Sequence, residues 1–224
     1  MIFDLMCLCD VCCLMCLTSG VPVRKSVVFW DCEWLSCEGA LSRLWGGPCD
    51  PDPLVIQMGF VRLNCVDLSL STPKTLWVLP KDRDGVRVPL DDYVVNLTGI
   101  EEECLDSHGM PLSLALDEMK RFCREDFLWS WGKDELNVLG VSCFVQGVVP
   151  PFSASQFGNA RSLLLNAGFS QDWISSTSSG TLCERLGVST PSFRGHDASD
   201  DALSLALGVR HLLKTGSLEV SSLF

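Results

Sequence analysis

The sequence predicts an α/β domain whose mixed central sheet, with a three-stranded antiparallel start followed by parallel strands, is flanked by helices. Two observations carry this reading. Strand-length runs of β-branched and aromatic residues occur over positions 26–79, and one-sided helical stripes dominate after position 110. Strands that come first and helices that come later argue for a layered architecture. The length of 224 residues suits one domain of ordinary size.

The first strand is Ser26–Glu33 (SVVFWDCE), and residues 34–53 read as a loop that ends in the Gly/Pro-rich GGPCDPDP. Leu54–Leu63 and Thr75–Leu79 are the second and third strands, and consecutive strands usually pair with one another. Leu112, Ala115, Leu116, Met119, Phe122 and Cys123 recur at three- and four-residue steps, the stripe of a half-buried helix. Phe127–Trp131 follows as a buried strand, with core packing the default role of Trp129 and Trp131, and Asp134–Cys143 as a helix. Ser155–Ala167 and Thr181–Leu186 are expected as shorter helices stopped by Gly168 and Gly187. The last helix is the best marked. Asp197 can cap it, Ala198, Ala202, Leu205, Ala206, Val209, Leu212 and Leu213 line one face, and Gly216 can end it. No internal repeat divides the chain, so residues 23–224 are expected to form a single domain.

The formal net charge of −11 is not the footprint of a protein that grips duplex nucleic acid through a broad basic face. It does suit a protein that gathers carboxylates around cations. Thirteen cysteines, an odd number in a chain that is not small, read as free thiols in a reducing, cytoplasmic setting rather than as a disulfide framework. Residues 1–22 are a leader too short and too interrupted by Asp4 and Asp10 to span a bilayer, and no membrane association is expected. Its two abutting CxxC pairs, Cys9–Cys12 and Cys13–Cys16, leave no chain between them for separate metal knuckles, so a disordered or mis-assigned start is the simpler reading.

Three short stretches carry chemistry. Side chains alternate along a strand, so Asp31 and Glu33 point the same way at the end of an apolar run. Both acids either reach solvent there or share a cation, because an unneutralised pair is costly to bury. In Gly195-His196-Asp197-Ala198-Ser199-Asp200-Asp201, carboxylates near a helix start are favourable in themselves, yet three exceed what one cap needs. His196 is one of only three histidines and suits a general base near neutrality. Asp134 follows the strand Phe127–Trp131 and serves either as a helix cap or as a further acid of the site.

Taken together, these stretches resemble the DEDDh exonuclease family, which includes ribonuclease T and bacterial proofreading subunits. The family pattern is DxE on the first strand, a lone Asp after a middle strand, and His-x4-Asp opening the last helix. Here it is filled in order by Asp31, Glu33, Asp134, His196 and Asp201. Leu97-Thr98-Gly99-Ile100 looks like the segment that lies against the 3′-terminal nucleotide in that family. Pro89–Tyr93 and Cys37-Glu38-Gly39 look most like the branch of histone-mRNA and siRNA exonucleases. The resemblance spans about residues 26–214 and implies a ribonuclease-H-like fold and a metal-dependent 3′→5′ exonuclease. It also implies two Mg²⁺ or Mn²⁺ ions held by Asp31, Glu33, Asp134 and Asp201, with His196 as the base that activates water. The implied partners are single-stranded RNA or DNA 3′ ends, contacted by Trp34, Leu97, Thr98 and Gly99, and the implied products are nucleoside 5′-monophosphates. Several relatives are dimers, so the resemblance admits a homodimer, while the sequence itself leaves the oligomeric state open. Trp34 stands where many relatives carry a small or hydroxylated residue, which leaves the sugar preference open.

The acid of the middle stretch is followed at once by Glu135. Asp134 is chosen because Val138 and Leu139 then fall where the family has its buried pair. Two other functions compete. One is a non-catalytic module that binds nucleic-acid ends or a protein on the same fold, which loss of one of the five residues would signal; all five are present. The other is an endonuclease, which would need an open groove instead of a terminal pocket.

Overall fold

The computed structural model describes residues 25–43, 50–190 and 192–224; the leader and its CxxC pairs lie outside the described residues. The sheet is built from β1 (Ser26–Trp34), β2 (Val55–Asn64), β3 (Lys74–Trp77), β4 (Phe127–Ser130) and β5 (Phe157–Asn159). Its order is β3-β2-β1-β4-β5. The first three strands pair antiparallel, and β4 and β5 join β1 in parallel, which is the predicted mixed sheet. β1 is central and covered on both faces, which is why its sequence is a nearly unbroken apolar run and not an alternating one.

Helices cover both faces. In chain order they are α1 (Asp92–Thr98), α2 (Glu102–His108), α3 (Leu112–Cys123), α4 (Asp134–Gln146), α5 (Arg161–Asn166), α6 (Gln171–Ser175), α7 (Leu182–Arg185) and α8 (Ala198–Thr215). Val28, Trp30, Met58 and Phe60 pack one face of the sheet against α3 and α4. Val27, Phe29, Val61 and Leu63 pack the other against α8 and α5. By strand alternation Asp31 and Glu33 continue the Val27–Phe29 row, so they face α8.

One predicted element is corrected. Ser155–Ala167 is not a continuous helix: a 3₁₀ turn at Ala154–Gln156 leads into edge strand β5, and only Arg161–Asn166 is helical. Phe157 is drawn to the sheet by Trp30 and Phe152, whose rings lie 5.6 and 6.2 Å away. Gly158 permits the close approach, since a Cβ there would meet the Trp129 ring at 2.5 Å. The seven cysteines among the described residues are free thiols, and Cys65 is only partly buried. No helix of the described residues is long and apolar enough to cross a membrane.

Candidate active site

Asp31 and Glu33 end β1, opposite Gly59 and Gln57 of β2 in register. The start of α8 is fastened over this corner. Buried Gln57 accepts a hydrogen bond from Ala198 N at 2.8 Å through Oε1 and donates to Asp197 Oδ2 at 3.2 Å through Nε2. Gly59 presents bare backbone beneath the Ala198 carbonyl, where a Cβ would overlap it. The Thr75 and Ser199 hydroxyls are hydrogen-bonded to each other across the same contact.

Each aspartate of the last motif has its own task. Asp197 caps α8, accepting from Ser199 N and Asp200 N. Asp200 accepts from Arg194 N at 2.8 Å and so closes the loop that carries His196. Asp201, one turn into the helix, reaches Asp31 and Glu33, and the ligand atoms of these three lie within 4.8 Å of one another. All three are buried, and the described ion pairs leave them without a cation.

Such a cluster is poorly solvated. Burial, then the charges of Glu135, Glu33 and Asp201, hold the Asp31 carboxyl well above the usual range. Burial, followed by Asp201 and Asp197, pushes Glu33 up to about 8. Burial, followed by Asp197 and Asp200, pushes Asp201 up to about 7. Asp201 Oδ1 is covered and has no hydrogen-bond partner. Hard oxygen donors in excess of local positive charge, one of them unpaired, fit a divalent cation of the Mg²⁺ or Mn²⁺ kind.

A test follows from the sign of these shifts. The folded, metal-free chain retains protons on Glu33 and Asp201 that the unfolded chain releases near pH 4. Stability from this source is complete below that pH and is lost as the pH rises through about 7 and about 8. The melting temperature in EDTA should therefore fall between pH 5 and pH 8, and Mn²⁺ should restore it at pH 8. A metal-free melting temperature that is flat or rises over this window would contradict the picture.

The acids open into a cleft of about 800 Å³ that is also lined by Trp34, Asp134, Glu135 and His196. His196 is exposed and adopts φ 58°, a left-handed backbone that costs a non-glycine residue roughly 1 kcal/mol or more. A register shift between Glu33 and Trp34 turns half-buried Trp34 toward the cleft. Asp134 is exposed at the start of α4, whereas its neighbour Glu135 is buried.

Leu97, Thr98 and Gly99 close α1 and are absent from the lining of this cleft. The Thr98 hydroxyl is occupied within its own turn, donating to Val94 O at 2.8 Å and accepting from Ile100 N at 3.1 Å. Gly99 lies against the Arg194 guanidinium of the loop that carries His196, leaving no room there for a Cβ. Sequence reasoning missed Gln57 and Gly59. A polar residue and a glycine inside the apolar run VIQMGFVRL were the available signal.

No family model and no curated protein matches the sequence. Solved structures do match. The nuclease domain of 3′hExo, a DEDDh family member, bound to rAMP, superposes with a TM-score of 0.70 at 21% identity, over 88% of this chain and 96% of that one. A 3′-exonuclease described in its 3′-end-specific recognition of the histone mRNA stem-loop gives 0.69 at 19%, over 87% and 84%. Cell-death related nuclease 4 (CRN-4) gives 0.65 at 17%, over 86% and 64%. At these identities the likeness is one of fold. The chain has the ribonuclease-H-like fold of DEDDh 3′ exonucleases, with an acidic cluster of its own at the end of β1.

Proposed function

We propose that this chain is a metal-dependent 3′→5′ exonuclease of the DEDDh kind, acting on single-stranded 3′ ends of RNA or DNA. The observation that carries the reading is the convergence of Asp31, Glu33 and Asp201 in a cleft shared with His196. These three carboxylates would hold a divalent ion, and the start of α4 would contribute a fourth. Two such ions, when bound, stabilise the attacking and leaving oxygens of an in-line displacement at phosphorus. His196, exposed at the cleft, takes the proton of the attacking water at a ring nitrogen. Trp34 offers a flat apolar surface on which a splayed terminal base stacks, a contact worth about 1–3 kcal/mol. Leu97, Thr98 and Gly99 are the further contacts to the terminal nucleotide, and Gly99 lies against Arg194 of the loop that carries His196. An acidic chain suits short substrates or recruitment by another protein better than sliding along nucleic acid.

The test is a gel time course on 5′-labelled single-stranded RNA and DNA with Mg²⁺, Mn²⁺ or EDTA, alongside Asp201→Ala and a circular substrate. A metal-dependent ladder shortening from the 3′ end is expected. It should be absent in the variant and on the circle. Cutting of the circle would make the chain an endonuclease, and no shortening with either metal would leave a binding module on an exonuclease fold.

A further inference from the structure

Asp134 and Glu135 open α4 side by side, and successive helical residues point about 100° apart, so the two carboxylates do not face the same way. Glu135 is the one turned inward: it is 6% exposed, lines the cleft, and has its Oε2 covered with no hydrogen-bond partner. Asp134 stands exposed on the same cleft. Ser130, the backbone N–H of Glu135 and the Arg161 charge favour the buried carboxylate, but none of the described ion pairs includes it. No described residue hydrogen-bonds to the covered Oε2.

Glu135 also falls outside the close group of Asp31, Glu33 and Asp201, so it does not belong to the same ion as all three. Glu135 nevertheless lines the same cleft as Asp31, Glu33 and Asp201. Resting on the exonuclease reading, we propose that Glu135, not Asp134, is the fourth carboxylate of the metal centre and holds the second divalent ion together with Asp31. The extra methylene of glutamate carries the carboxylate inward from a helix position one residue further along than the aspartate implied by the sequence resemblance.

The experiment counts Mn²⁺ ions by electron paramagnetic resonance, with AMP present, on the full chain and three variants. The unmodified chain should bind two ions. Glu135→Gln should keep one and bind the second at least tenfold more weakly, whereas Asp134→Asn should keep both within about twofold. Should Glu135→Gln lack a cooperative melt, Glu135→Asp replaces it, since it keeps the charge but retracts it; the same tenfold weakening of the second ion is expected. Two ions retained in the Glu135 variant, or the second ion lost in Asp134→Asn, overturns the assignment and leaves the exonuclease reading intact. A single ion in the unmodified chain also overturns the assignment. No bound ion and no digestion would bring down both.

Discussion

Asp31→Asn is expected to lower turnover by about 10³-fold while raising the melting temperature of the metal-free chain at pH 8. Both effects have one cause. Asp31 is buried on the α8 side of the sheet with Glu33, Asp201 and Glu135 acting on it, and its charged form is disfavoured there without a cation. The amide keeps the size of the side chain and removes that charge. Each kcal/mol relieved should raise the melting temperature of a chain of this length by about 2–4 °C. In saturating Mn²⁺ the order should reverse, because only the unmodified chain gains the full binding free energy of the ions. Melting curves with EDTA and with Mn²⁺, read beside digestion rates, check both limbs. Retained digestion would remove Asp31 from the chemistry, and a lower metal-free melting temperature would make it a structural group.

The parts of the site written in local periodicity were legible. Asp31 and Glu33 share a face because a strand alternates, and Asp201 lies one turn inside a helix whose cap and apolar stripe are plain in the sequence. The phase of α4 at its first turn was not legible. Asp134 and Glu135 are equally compatible with the pattern, and packing of Val138, Leu139 and Ser142 against the sheet decides which one turns inward. β5 was hidden for a related reason. A three-residue edge strand has no periodicity of its own, and Phe157 joins the sheet through ring contacts with residues far away in the chain. The short helices α1 and α2 run seven residues each, too few for a stripe to emerge. The role of Gln57 depends on Asp197 and Ala198, 140 and 141 residues further on, and no local rule reaches that far.

That long-range fastening makes the second large effect. Gly59→Ala is expected to destabilise the fold by about 3 kcal/mol, at the upper end for overpacking, and to cut turnover by on the order of 10²-fold, although Gly59 offers no atom to substrate or metal. The added methyl would occupy the volume of the Ala198 carbonyl, where neither partner is a side chain that can swing away. The start of α8 must lift, which loosens the Gln57 hydrogen bonds to Ala198 and Asp197 and carries Asp201 away from Asp31 and Glu33. A displacement of about 1 Å suffices for the predicted kinetic loss. Gly140→Ala is the control. Gly140 lies inside α4 and is exposed with open space around it, so the same chemical change should stabilise the chain by roughly 0.5–1 kcal/mol and leave turnover alone. Calorimetry should therefore move in opposite directions for the two variants, whereas the digestion rate should fall only in Gly59→Ala. If Gly59→Ala is silent, the contact between β2 and α8 is not what holds Asp201 in place.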